Sequence, residues 1–262
     1  MNFNFLSKYF NRFSKYPKQW IVEPTNVCNL NCISCDNKSM PRKKGMMSLS
    51  DFKRYFKELQ SIGVNTIEFD LGGEPLLNPD VFEMIALAKK HNVKTFFSTN
   101  GYFLDKYNQK IFDSGLTGIL IDFDGMTKKS YETFRVGSDF EKVKKNIENF
   151  CAMKKELGLK SPSITLSFII NKHNETEIEE FRKWAVIADS CVVKTLANTT
   201  KSLEKISSIQ PKNENLFTLI PLTLPLSYTA PSRDFLKHIT SLLIPLLFRF
   251  KTKFPTISPV PP

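Results

Sequence analysis

Three of the five cysteines crowd into one short stretch, Cys28, Cys32 and Cys35, with the spacing C-x3-C-x2-C. Thiolates gathered on one loop suit a soft metal ion or an iron–sulfur cluster. A structural zinc site is the other reading of such a loop, but it takes four protein ligands, and the nearest histidine in sequence is His91. Three cysteines leave one iron of a 4Fe–4S cluster without a protein ligand. An open position of that kind is what a catalytic metal centre needs. Cys151 and Cys191 stand alone, and an odd count with three clustered is not a disulfide framework. The pattern fits metal ligation in a reducing compartment, and the cytoplasm is the expected location.

A loop of cysteines works only if rigid elements hold it, and the sequence supplies them from residue 19 to about 197. Residues 20–22 read as a strand that leads into the cysteine loop. Ser48 and Asp51 read as a capping box for a helix with Phe52, Tyr55, Phe56, Leu59 and Ile62 on one face, ended by Gly63. A strand over residues 66–71 runs into Gly72-Gly73-Glu74-Pro75. Asn78 before Pro79 marks the next helix start, and that helix ends near His91. A third strand spans 93–97, a short helix lies around 107–111, and a fourth strand spans 118–123. The helix over 140–157 places Phe140, Val143, Ile147, Phe150, Cys151 and Leu157 along one stripe, which makes Cys151 a core thiol. A fifth strand at 164–170, a helix from about 175 to 188 and a sixth strand at 191–193 complete the series, with Cys191 as a second core thiol.

Strands separated by single helices are parallel, and right-handed crossovers put the helices on one side. The predicted fold class is therefore α/β, a (β/α)6 partial TIM barrel with a short irregular C-terminal extension. Functional residues belong at the C-terminal ends of its strands. Three segments follow: a basic, aromatic stretch at 1–18, the core domain at 19–197, and a tail at 198–262. Leu6, Tyr9, Phe10 and Phe13 form a helical stripe in the first segment, which fits an interfacial helix or a short helix packed on the domain. In the tail, nine of the fifteen prolines lie from Pro211 onward, beside only Glu214 and Asp234 as acids. The tail is expected to be weakly ordered, and its apolar runs are too short and proline-broken for a membrane span. The net charge of +11 attracts anions. Its lysines are dispersed as on solvated helix faces and no nucleic-acid module is present, so neither nucleic acid nor membrane is an expected partner.

The motifs, taken together, resemble the radical S-adenosylmethionine (SAM) superfamily. C-x3-C-x2-C follows the first strand, Gly72-Gly73-Glu74-Pro75 the second, Ser98-Thr99-Asn100-Gly101 the third and Asp122-Phe123-Asp124-Gly125 the fourth. That order on consecutive strand ends matches the family over about residues 19–197. The resemblance implies a 4Fe–4S cluster on Cys28, Cys32 and Cys35 and SAM as cofactors. It also implies reductive cleavage of SAM to a 5′-deoxyadenosyl radical, with the electron coming from a donor such as flavodoxin or ferredoxin.

By the same resemblance, the SAM-binding residues are Gly72, Gly73, Glu74, Pro75, Ser98, Asn100, Asp122 and Arg135. The glycines let backbone approach the methionine amino group. Glu74 either orients that region or stabilises its own loop. Ser98 and Asn100 either meet the ribose or methionine part of SAM or serve as turn residues. Asp122 stands where relatives often carry serine, and Arg135 either pairs with the SAM carboxylate or is an exposed helix arginine. Ser34 replaces an aromatic residue common before the third cysteine. The long helix and residues 169–174 resemble the branch with a C-terminal SPASM domain, which binds further clusters through many cysteines. This chain has none after Cys191, so that domain is expected to be missing or altered. A peptide, protein or small-molecule substrate follows from the resemblance. The alternative is a decayed or truncated, non-catalytic module that binds a cluster or zinc.

Overall fold

The computed structural model describes residues 16–196 and 208–211. All of them belong to one compact unit. The stripe at Leu6, Tyr9, Phe10 and Phe13 and most of the tail lie outside the described residues.

The described residues form six strands: β1 (Gln19–Val22), β2 (Thr66–Phe69), β3 (Lys94–Thr99), β4 (Gly118–Asp122), β5 (Ser163–Ile170) and β6 (Ser190–Thr195). They form one sheet in sequential order, every neighbouring pair parallel, with β1 and β6 at its edges among the described residues. The helices between them are α1 (Leu49–Ser61), α2 (Val81–Lys90), α3 (Leu104–Ser114), α4 (Lys128–Phe134), α5 (Phe140–Glu156) and α6 (Ile178–Trp184). This is the open, six-unit partial barrel expected from the alternation of patterns.

Period-two burial decides the two faces of the sheet. Ile67, Phe69, Phe97, Ile119, Ile121, Leu166 and Phe168 are buried, and Phe69 and Phe168 meet Phe52 of α1 and Phe181 of α6. Each such ring contributes about 1.5–3 kcal/mol by leaving water. The residues between them, Glu68, Ser98, Asp122 and Ile169 among them, are only half-buried and face the hollow of the barrel. Helix ends are set by local chemistry. The Ser48 hydroxyl accepts the Asp51 N–H at 3.1 Å, Asp139 caps α5 through the Lys142 N–H, and Thr127 and Ser130 make a reciprocal box on α4.

Several sequence expectations shift. Helix α2 starts at Val81, two residues past Pro79; the Asn78 side-chain oxygen accepts the Asp80 N–H at 2.8 Å, while its amide donates to the carbonyls of Pro24 and Met47 at 2.7 and 2.9 Å. The helix expected over 175–188 is shorter: residues 172–176 form a turn, and α6 gives way to a 3-10 turn at Ala185–Ile187. Tyr55 and Leu157 are exposed rather than on the core stripes, and Ser48–Asp51 is a single cap, since the Asp51 carboxylate accepts the Ser48 hydroxyl instead. Helix α4 was not anticipated by any apolar period. Cys151 is buried as expected, and burial pushes its thiol up to about 12. No described helix is long and apolar enough to cross a membrane.

Candidate functional site

The cysteine loop leaves β1 and is closed on itself before α1 begins. The Thr25 hydroxyl donates to the Gly45 carbonyl at 2.9 Å and accepts the Val27 N–H at 3.0 Å. The Asn26 side chain accepts the Gly45 N–H at 2.7 Å and donates to the Lys43 carbonyl at 3.0 Å. Lys44 donates to the carbonyls of Asn26 and Asn37 and to the Asn37 side chain. Asn37, buried, donates in turn to the carbonyls of Asn26 and Gly72. These cross-ties fix the backbone that carries the thiols.

Each thiol has its own donor. Cys28 Sγ accepts the Leu30 N–H at 3.5 Å, and Cys35 Sγ accepts the Asn37 N–H at 3.4 Å. Cys32 Sγ accepts Arg135 Nη1 at 3.8 Å. Burial raises the thiols of Cys28 and Cys32; the Leu30 N–H opposes it at Cys28 and Arg135 opposes it at Cys32. Among the described residues, no three His, Cys, Asp or Glu side chains converge on one point that would hold a single ion. The thiols instead ring a cavity of about 200 Å³. A cluster offers each cysteine a separate iron, so this spacing around a shared space fits the three-cysteine donor set.

The next three strand ends supply the rest of the wall. Gly73 has no room for a side chain, since a Cβ would run into the carbonyl oxygens of Thr25 and Val27. Its neighbour Glu74 donates its N–H to the Val27 carbonyl at 2.9 Å. The Glu74 carboxylate is buried and accepts the Thr99 hydroxyl at 2.7 Å and the N–H groups of Asn100 and Leu76 at 2.9 and 3.2 Å. Burial outweighs those bonds and pushes Glu74 up to about 7. The Asn100 amide donates to the Asn29 side chain at 2.9 Å, which ties the loop after β3 to the cysteine loop.

Every sequence-predicted site residue except Pro75 lines this one cavity: the three cysteines, Gly72, Gly73, Glu74, Ser98, Asn100, Asp122 and Arg135. Pro75 is buried and opens a 3-10 turn, Pro75–Leu77. Ser98 lies 3.5 Å from Asp122 across the mouth of the barrel. Arg135 is not an exposed helix residue; it is 8% exposed and caps α4. Its Nε donates to Asp124 Oδ2 at 2.6 Å, and Nη2 reaches Asp124 at 2.5 Å and Asp122 at 3.4 Å. Burial disfavours its charge, but Asp124, Cys32 and Asp122 outweigh that and raise it well above the ordinary arginine value. Burial likewise pushes Asp124 up, against the pull of Arg135. The sequence marks Asp124 only as part of the Asp122–Gly125 motif; its role comes from the tertiary pairing with Arg135.

The Radical SAM superfamily model matches residues 22–185 of the chain. A probable GTP 3′,8-cyclase of Methanococcus maripaludis is 33% identical over 139 residues, covering 52% of this chain and 46% of the relative. Mycofactocin maturase MftC of Mycobacterium ulcerans is 29% identical over 168 residues, covering 64% of this chain and 43% of the relative. Among solved structures, Streptococcus suis SuiB bound to S-adenosylmethionine superposes with a TM-score of 0.62 at 17% identity, over 92% of this chain and 50% of that one. That likeness is one of fold. The chain spans about half the length of the curated relatives it matches.

Proposed function

The chain belongs to the radical SAM superfamily, and we propose that Cys28, Cys32 and Cys35 hold a 4Fe–4S cluster at which SAM is reductively cleaved. When bound, the cluster supplies the electron and the open iron that SAM cleavage requires. The observation that carries the reading is the convergence of three loop thiols and the ends of β2, β3 and β4 on one cavity. Residues 19–197 act as the catalytic core, with 198–262 as an appended tail.

The chain's own groups divide the work. Gly72 and Gly73 present bare backbone where a small, polar ligand group must come close. Asp122 and Ser98, both lining the cavity, would accept from and donate to ribose hydroxyls, and Asn100 presents the start of the next loop. Glu74 and Pro75 act indirectly, by fixing the turn and the loops on either side. A rigid frame of this kind holds a reacting group in place and keeps water out.

The substrate is a peptide, a protein or a small molecule. In support, a fold relative, SuiB, is described bound to its precursor peptide, while named relatives include a GTP 3′,8-cyclase and a mycofactocin maturase. A flavodoxin or ferredoxin delivers the electron, in the cytoplasm. Anaerobic reconstitution with iron and sulfide, followed by reduction with SAM present, tests the reading. Four irons per chain and 5′-deoxyadenosine are expected. A cluster without cleavage would point to a non-catalytic module, and zinc without iron would end the cluster reading.

A further inference from the structure

We infer that Arg135 is a positioning residue for the cluster itself: anchored by Asp124, it donates to the Cys32 sulfur and raises the reduction potential, whether or not SAM is bound. The inference rests on the cluster reading above and goes beyond it, because resemblance assigns this arginine only to the SAM carboxylate.

The geometry leaves the guanidinium little freedom. Nε and Nη2 both engage Asp124 Oδ2, at 2.6 and 2.5 Å. Asp124 is fully buried, and its other oxygen accepts the Ile169 N–H of β5 at 2.6 Å. The Asn174 amide holds the Asp124 carbonyl at 2.9 Å. A planar, forked cation gripped on one edge points its remaining nitrogen in a fixed direction. That nitrogen, Nη1, lies 3.8 Å from Cys32 Sγ.

The backbone makes the same match. The Phe134 carbonyl accepts the Ile33 N–H at 3.0 Å, and the Val136 carbonyl accepts the Asn31 N–H at 2.8 Å. The neighbours of Arg135 thus grip the neighbours of Cys32. Side chain and backbone together hold guanidinium and sulfur in one register, which an arginine kept only for an incoming ligand would not require.

The physical consequence has a sign. A cation and an N–H donor beside a ligating thiolate favour the form with the added electron, so they make the cluster easier to reduce. The bond is present in both oxidation states, so only its strengthening on reduction, on the order of tenfold, shifts the couple. For a one-electron couple, tenfold corresponds to ~59 mV.

The test is an anaerobic redox titration of the reconstituted full chain, followed by electron paramagnetic resonance, without SAM. At the wild-type midpoint, Arg135→Gln should show a reduced-to-oxidised ratio about tenfold lower. Arg135→Lys keeps the charge but lacks the fork to hold Asp124 and Cys32 together, and should fall between, about threefold lower. Iron and sulfide analysis accompanies each titration. If Arg135→Gln fails to retain its cluster, the Lys variant decides alone. Midpoints that match wild type without SAM, and separate only when SAM is added, would overturn the inference in favour of a ligand-only role. Wild-type chain that binds no iron would instead defeat the cluster reading.

Discussion

The carboxylate of Glu74 accepts the backbone N–H of Asn100 at 2.9 Å, and so couples the loop after β2 to the loop after β3. Both loops line the cavity beside the thiols, so the shape of the site depends on a buried acid that makes three bonds within its own chain.

A pH dependence follows. Burial raises Glu74 from its ordinary 4.5 to about 7 in the folded chain. The folded state therefore binds more protons than the unfolded state between those values, and stability falls as pH rises through that window. The contribution is fully present below about pH 4.5 and gone above about pH 7. Glu74→Gln should flatten that slope while costing about 1–3 kcal/mol overall, since its amide would face the Asn100 N–H donor. Urea titrations of both proteins between about pH 4.5 and pH 8 check this; parallel slopes would show that Glu74 does not titrate there.

The cysteines should separate into two groups. Cys28→Ala, Cys32→Ala and Cys35→Ala should each abolish cluster retention, because the loop carries no spare thiolate. Cys151→Ala and Cys191→Ala should keep full iron content. Cys151 sits buried in the core, and its loss should cost about 1 kcal/mol. Iron analysis and thermal melts of the five variants read out both effects.

Gly73→Ala places a methyl against the carbonyl oxygens of Thr25 and Val27, which are backbone atoms and cannot swing aside. The cysteine loop must then shift. We expect about 1–3 kcal/mol of lost stability and weaker SAM binding, read by equilibrium dialysis. Gly45→Ala, where no atom lies within 4 Å of the new methyl, is the control and should leave SAM binding intact.

Much of this was legible in the sequence, for a physical reason. Strands flanked by amphipathic helices fix parallel order, and motifs that follow strands must then meet at one end of the sheet. That logic brought Cys28, Gly73, Asn100 and Asp122 to one cavity. It could not find the pairing of Asp124 with Arg135, which lies between a strand end and a helix cap eleven residues on and leaves no periodic trace. The bounds of helix α4 escaped for a similar reason. It has only seven residues, and its N-terminal signal at Thr127 is a serine-based box without the glutamate that marks the usual pattern. Asn78 did mark the approach to α2, since its side-chain oxygen accepts the Asp80 N–H at 2.8 Å, and the regular helix begins at Val81.

The central claim is that the thiol-lined cavity generates a radical from SAM. Its most direct measurement is 5′-deoxyadenosine formed by the anaerobically reconstituted chain under reduction, beside Cys32→Ala handled identically. Product is expected from the wild-type chain, dependent on both iron and reductant, and none from the variant. Equal product from the two proteins, or none from a wild-type chain that carries four irons, would contradict it.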